Sequence, residues 1–259
     1  MKTARRRATP APPEKQFFVF FEFYPRRISS LVWKRIVFLD GAVATGDRGA
    51  YLLYNAIMSK IETVIFDAGG VLHESNSAVT EDLTNELGIS KEVLSQIWAE
   101  EIPLLGSGKI DESEFWQLVS IKYGLRNVGL DENLLGRAFI EQLVPFTEVS
   151  ELVKGLGKLS IKTAVLSNTI EPHAKALREA GVYDGFDTLL LSHEIGLRKP
   201  NSDIYEYALD VLKANPQTTV FIDDDPENTQ AASQVGIHGI TFLSPKQLKD
   251  DLKKFIPEL

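Results

Sequence analysis

Residues 61–72 read IETVIFDAGGVL, and this stretch decides the fold. Its first part, IETVIF, is short, apolar and rich in Ile, Val and Phe, which is typical of a strand buried on both faces of a parallel sheet. Asp67 follows directly, and Gly69 and Gly70 then permit a tight turn. The stretch therefore predicts a core strand, Ile61–Phe66, that ends in a carboxylate.

Four more strands of the same kind follow further along the chain. They are predicted at Ile161–Leu166, Thr188–Leu191, Thr218–Ile222 and Gly239–Leu243. Between them lie helices with clear ends, Glu171–Ala180 with Pro172 in its first turn and Pro226–Val235 after a capping Asp225. Strands that alternate with helices predict an α/β fold with a doubly wound, Rossmann-like parallel sheet.

About a hundred residues separate the first two strands, which is far more than a crossover between parallel strands needs. The insert shows helical signals: Ser90 and Asp131 can each cap a helix, and Asp111 with Glu114 forms a capping box. Trp98 and Trp116 recur at helical positions and are predicted to lie in the core of this insert. We therefore predict four amphipathic helices that form a cap at residues 77–143, inserted into a core made of residues 58–76 and 144–259.

The N-terminal residues 1–57 differ from the rest in charge and pattern. They hold ten Lys and Arg against four Asp and Glu, although the whole chain has a net charge of −8. A secretory signal, an organellar transit segment and an extension upstream of a start at Met58 all compete, and the weak apolar pattern favours the extension. The prediction is an N-terminal extension outside the folded core.

Composition excludes several classes of function. The chain has no cysteine, so it has no disulfides, thiol nucleophile or cysteine-based metal site. Its longest apolar run is Phe17–Phe21, much shorter than the roughly 20 residues of a membrane span. The acidic body disfavours binding to nucleic acid or to anionic membranes. We expect a cytoplasmic monomer or homodimer.

Polar residues gather where the predicted strands end. Asp67 follows the first strand, Ser167 follows the second, Lys199 lies beyond the third, and Asp223 and Asp224 follow the fourth. Parallel sheets bind ligands outside the carboxyl ends of their strands. Neighbouring carboxylates repel one another unless a cation lies between them, and oxygen ligands without cysteine favour Mg²⁺.

Four segments, FDAGGVL, LSNT, KPNSDIY and FIDDDPEN, resemble the four motifs of the haloacid dehalogenase superfamily, in the branch with a helical cap between the first two motifs. The resemblance implies that Asp67 is the nucleophile. It also implies that Ser167 and the amide of Asn168 hold a phosphoryl oxygen and that Lys199 neutralises charge. The implied Mg²⁺ ligands are Asp67, the backbone carbonyl of Gly69, Asp223 and Asp224, and Asn228 resembles the structural residue beside the metal site.

Gly69 departs from the pattern of many phosphatases in this family, which have a second aspartate there as the general acid and base. Such an acid contributes typically ~10²–10⁴-fold, so its loss predicts a slow enzyme or one with a substituted acid. His73 and Glu74 are candidates for that substitute. Lys109, in the GSGK stretch of the insert, is a further candidate for contact with a phosphate or a sugar.

The sequence leaves three functions in competition. The leading one is a Mg²⁺-dependent phosphatase that acts on a small phosphorylated metabolite, with a sugar phosphate as one candidate. The second is a catalytically weak binder of a phosphorylated ligand or a regulator, which only Gly69 favours. The third is a metal-free haloacid dehalogenase, which the paired Asp223 and Asp224 disfavour.

Overall fold

The computed structural model describes residues 60–75, 78–125 and 133–259. Its centre is a sheet of five parallel strands in the order β3-β2-β1-β4-β5. The strands are β1 Thr63–Phe66, β2 Lys162–Ser167, β3 Thr188–Leu191, β4 Thr219–Asp223 and β5 His238–Thr241. The chain runs from β1 outward through β2 to β3, and then crosses to β4 and β5 on the other side of β1. The direction of winding therefore reverses between β1 and β4.

Some strand ends differ from the predicted ones by one or two residues. Ile61 is buried in the core but precedes β1, so its apolar character reports burial and not strand pairing. Ser167 and Asp223 are the last residues of β2 and β4 and still pair with neighbouring strands. Leu243 lies beyond β5 and is 78% exposed. An apolar pattern therefore marks the middle of each strand better than its polar end.

Of the helices described between the first two strands, five fall within the predicted cap. They are α1 Ala78–Leu87, α2 Lys91–Glu100, α3 Ile102–Gly106, α4 Glu112–Tyr123 and α5 Leu134–Glu141. They enclose their own apolar cluster, which includes Leu94, Ile97 and Trp116. The sequence predicted four helices because α3 is too short to show a helical period. The predicted cap residue Asp131 lies outside the described residues.

Three of the predicted helix caps form as expected, and one of them is Asp225, whose Oδ1 accepts from the backbone N–H of Glu227 at 2.9 Å. The Ser90 hydroxyl accepts a hydrogen bond from the backbone N–H of Val93 at the start of α2. Asp111 and Glu114 make the reciprocal bonds of a capping box at the start of α4. These local signals fix where the helices begin.

Six further helices in the described part of the chain pack around the sheet. They are α6 Thr147–Lys158, α7 Glu171–Glu179, α8 Ser192–Ile195, α9 Ser202–Leu212, α10 Pro226–Gln234 and α11 Pro245–Phe255. Alternate strand residues point to opposite faces: Val64 and Phe66 pack with α6, α7 and α11, whereas Ile65 packs with α9 and α10. The predicted α/β fold, a doubly wound parallel sheet with a helical cap, is confirmed.

The structure also bears on membrane insertion. Across the described ranges, every helix is too short or too polar to cross a lipid bilayer.

Candidate active site

The two central strands bring the first pair of polar residues together. β1 and β4 are hydrogen-bonded neighbours, and the ladder continues one step beyond β1, where the backbone N–H of Asp67 donates to the carbonyl of Ile222 at 2.8 Å. Asp223, the last residue of β4, is fully buried. Both carboxylates therefore lie where the winding of the sheet reverses, which is where open α/β sheets bind ligands.

Lys199 joins these two carboxylates. Its Nζ lies 2.7 Å from Oδ1 of Asp67 and 2.6 Å from Oδ2 of Asp223, and its side chain is only 1% exposed. The ammonium also lies 5.5 Å from the centre of the Phe221 ring. A buried ammonium between two carboxylates offsets part of their repulsion.

Asn168 holds Lys199 in place through the backbone. Its side-chain Nδ2 donates to the carbonyl of Lys199, and its Oδ1 accepts from the N–H of the same residue, both at 2.9 Å. The side chain of Asn168 thus positions Lys199. The predicted contact of Asn168 with a phosphate is therefore left to the backbone N–H of Asn168. A motif gives the residue type but not this partner, because Asn168 and Lys199 are 31 residues apart.

Asp223 is held by its own loop and helix. Its Oδ1 accepts from the backbone N–H of Asp225 at 2.9 Å, and the Nδ2 of Asn228 lies 3.0 and 3.1 Å from its two oxygens. The hydroxyl of Tyr205 in turn donates to the carbonyl of Asn228 at 2.9 Å. These contacts fix the orientation of the carboxylate, and they place Asn228 beside the predicted metal site.

Asp224 lies against the turn that follows β1. It is exposed, and a Cβ atom added at Gly70 would overlap its carboxylate. Gly70 has φ +72°, a left-handed conformation that favours glycine. The close approach and the backbone angle both require glycine at this position.

Three carboxylates converge here. One ligand oxygen each from Asp67, Asp223 and Asp224 lies within 4.8 Å of the others. Burial raises the pKa of Asp67 to about 6, against the opposing effect of Lys199 and with a further rise from Asp223. Burial and the nearby Asp223 also raise the pKa of Asp224. The donors are all hard oxygens in a crowded anionic cluster, so these residues fit a divalent cation such as Mg²⁺.

The structure places the other predicted residues in different settings. Ser167 is buried at the end of β2, next to β1. His73 is buried, its Nδ1 lies 2.9 Å from the carbonyl of Glu74, and burial lowers its pKa. Lys109 is exposed on the loop between α3 and α4, and it is not among the residues that line the cavity described next.

A cavity of about 410 Å³ lies between the cap helices and the core. It touches Asn168 and His73 from the core and Trp98 from the cap. Trp98, predicted in the core of the insert, packs against the apolar cluster of the cap but is only half-buried and also lines this cavity, whereas Trp116 is buried as expected. The cavity wall also includes His173, which the sequence did not single out because its position depends on the packing of α7 against α5.

The surroundings of His173 depend on the fold, so its spacing in the sequence did not identify it. Its ring stacks on Phe139 at 4.2 Å between ring centres, and burial lowers its pKa to about 4. His73 meets the edge of the same Phe139 ring at 5.4 Å. The two histidines thus belong to an aromatic group that joins the cap to the core.

Comparison with known proteins relates this arrangement to enzymes. A family model described as haloacid dehalogenase-like hydrolase matches residues 61–236. A sesquiterpene phosphatase from Aspergillus oryzae is 29% identical over 69% of this chain and 88% of its own length. An (S)-2-haloacid dehalogenase from Burkholderia cepacia is 25% identical over 71% of this chain and 84% of its own length.

Solved structures show the same fold. An HAD family enzyme from Bacteroides thetaiotaomicron, in complex with magnesium and inorganic phosphate, aligns with a TM-score of 0.61 and 24% identity. The alignment covers 70% of this chain and 93% of that one. Since the family model also spans more than half of the sequence, this chain belongs to the haloacid dehalogenase-like hydrolases.

Proposed function

We propose that this hydrolase is a Mg²⁺-dependent phosphatase that transfers the phosphoryl group of a small phosphorylated metabolite to Asp67 and then hydrolyses the aspartyl-phosphate. The observation that carries the proposal is the convergence of Asp67, Asp223 and Asp224 within 4.8 Å, with Lys199 bonded to two of them. An anionic nucleophile that attacks a phosphate dianion needs this concentration of positive charge and cation ligands.

Asp67 is suited to nucleophilic attack by its position. It lies at the end of a central strand, its backbone is fixed by Ile222, and its side chain is 12% exposed, so a substrate can reach it. Attack of its carboxylate on phosphorus forms a mixed anhydride and expels the alcohol oxygen, which splits one difficult displacement into two easier ones. Water then attacks the same phosphorus and regenerates the carboxylate.

The neighbouring groups stabilise charge during both steps. Lys199 neutralises part of the charge on the nucleophile and the transferred phosphoryl group, and Ser167 with the N–H of Asn168 can donate to phosphoryl oxygens. Mg²⁺, held by the three aspartates and the carbonyl of Gly69, would supply the remaining positive charge when bound. The protein contributes mainly electrostatics and positioning.

Proton transfer is the weak part of this site. Gly69 carries no acid, and an added Cβ there would meet nothing within 4 Å, so the place for one is open. His73 is close in the chain, but burial lowers its pKa, which disfavours the protonated form that would donate a proton. When binding is equal, leaving groups that are stable as anions, such as acyl and aryl phosphates, should react faster than alkoxides.

A haloacid dehalogenase is the second candidate, because several curated relatives carry the name (S)-2-haloacid dehalogenase. Such an enzyme also attacks through an aspartate. However, its substrate and its halide product are both anions, and two further carboxylates beside Asp67 would repel them. The same cluster becomes favourable only when a cation binds, which supports the phosphatase.

The test measures phosphate release from acetyl phosphate and a metabolite panel, with Mg²⁺ and with a chelator, and chloride release from (S)-2-chloropropanoate. We expect Mg²⁺-dependent phosphate release that Asp67→Asn abolishes and no chloride release. Chloride release without Mg²⁺ would instead identify a dehalogenase. Tight binding of phosphorylated ligands without turnover would identify a binder that has lost activity along with the acid at Gly69.

A further inference from the structure

The cavity between cap and core has two chemically different sides. The core supplies mostly polar residues, and among them Asn168 and Arg198 are direct chain neighbours of Ser167 and Lys199. The cap supplies mostly apolar ones, namely Val79, Trp98, Ile102, Leu135 and Phe139. The polar side therefore includes the chain neighbours of two residues of the predicted phosphoryl site, and the cap forms the apolar side.

Several polar groups on the wall already have partners. Asn168 is bonded to the backbone of Lys199, and Nε2 of Gln142 donates to Asp82 at 2.8 Å. Nδ1 of His73 lies 2.9 Å from the carbonyl of Glu74. A group rich in hydroxyls that packed against the apolar cap residues would lose hydrogen bonds to water and gain few in return, which is costly for each buried hydroxyl.

Arg198 belongs to the core but reaches the cap. Its guanidinium approaches Gly106, at the end of α3, so closely that a Cβ atom there would overlap it. Its positive charge adds to that of Lys199 in favouring an anionic substrate. The cap wall, in contrast, offers aliphatic and aromatic carbon.

We propose that the organic part of the substrate is apolar, so that the natural substrate is a phosphate ester of a hydrocarbon alcohol whose chain packs against Trp98, Ile102 and Phe139. This proposal rests on the phosphatase function above and narrows it. The amphipathic cavity matches an ester with a charged head and an apolar tail, and it disfavours the sugar phosphates that the sequence left open.

The first experiment varies only the tail. Straight-chain ethyl, butyl, hexyl and octyl phosphates have leaving groups of nearly equal basicity, so differences in kcat/KM report tail binding in the transition state. Burial of a methylene predicts a rise of roughly threefold to fourfold for each added carbon until the cavity is filled. Glucose 6-phosphate, with the same number of carbons as hexyl phosphate, should react far more slowly than hexyl phosphate.

The second experiment places a polar group on the cap wall. Ile102→Gln should lower kcat/KM for octyl phosphate by roughly tenfold, the equivalent of losing between one and two buried methylenes, and leave acetyl phosphate nearly unaffected. Ile121→Gln is the matched control, because Ile121 belongs to a cap helix, is 86% exposed and does not line the cavity. It should alter neither activity.

The outcomes distinguish the proposal of an apolar substrate from the phosphatase function on which it rests. Hydrolysis of acetyl phosphate with Mg²⁺, combined with no dependence on alkyl chain length, would overturn the apolar substrate and keep the phosphatase. Absence of phosphate release from acetyl phosphate and every alkyl phosphate would overturn the phosphatase itself. The chain-length series uses the unmodified protein, so it decides the matter even if Ile102→Gln fails to fold.

Discussion

Replacing Lys199 with methionine tests how the central charges are balanced. The ammonium is bonded to Asp67 and Asp223, which are both buried, and its side chain is 1% exposed. Methionine is similar in length and cannot carry charge. The substitution therefore leaves two carboxylates close together without their shared cation.

The expected cost can be taken from the burial. Removing one partner of a buried ion pair lowers the free energy of unfolding by about 3–5 kcal/mol, because an uncompensated charge stays in the interior. Burial already raises the pKa of Asp67 to about 6, and the loss of Lys199 should raise it further. The native state then binds protons more tightly than the unfolded chain, so stability rises as the pH falls through this pKa.

Urea unfolding without added metal at pH 7.5 and pH 5 measures both effects. We expect Lys199→Met to lose about 3–5 kcal/mol at the higher pH and clearly less at the lower one. Lys154→Met is the control, because Lys154 pairs with Glu151 on the surface, with side chains 60% and 72% exposed, and should lose under about 1 kcal/mol. A loss of the control's size, or one independent of pH, would refute this account of the charges.

Three further predictions concern the residues around the nucleophile. Gly69→Asp should flatten the dependence of kcat/KM on the leaving-group pKa across a series of aryl phosphates, since a new carboxyl has open space there; an already flat dependence in the unmodified protein would reveal another acid. Asp224→Asn should sharply raise the Mg²⁺ concentration for half-maximal activity, and unchanged dependence would restrict Asp224 to a structural role. Gly70→Ala should produce a similar loss of Mg²⁺ affinity by displacing the Asp224 carboxylate, whereas Gly88→Ala, also at positive φ with nothing within 4 Å, should change stability but not metal dependence.

The fold was largely predictable because its signals are local. Buried parallel strands are mostly apolar, and caps such as Ser90 and the Asp111–Glu114 pair act within a few residues. These local signals did not predict the short helix α3 or the polar strand ends at Ser167 and Asp223. A five-residue helix shows no period, and ladder pairing does not require an apolar side chain.

The predicted site shows a similar limit. Parallel strands present their carboxyl ends at one edge of the sheet, so the sequence predicted Asp67 and Asp223 at the same edge, and the pairing of β1 with β4 brings them together. The reciprocal bonds between Asn168 and Lys199 and the cavity wall around Trp98 did not follow. They depend on how loops and the cap pack against the core over long sequence separations, which no local pattern encodes.

The most direct test of the central claim follows oxygen atoms. The protein is allowed many turnovers of acetyl phosphate with Mg²⁺ in oxygen-18 water, and the released phosphate and the peptide containing Asp67 are then analysed by mass spectrometry. Attack of water on phosphorus predicts label in the phosphate and none in Asp67. Label in the Asp67 carboxylate would show that water attacks the carbonyl carbon of an ester, as in a dehalogenase, and would contradict the phosphoryl-transfer mechanism.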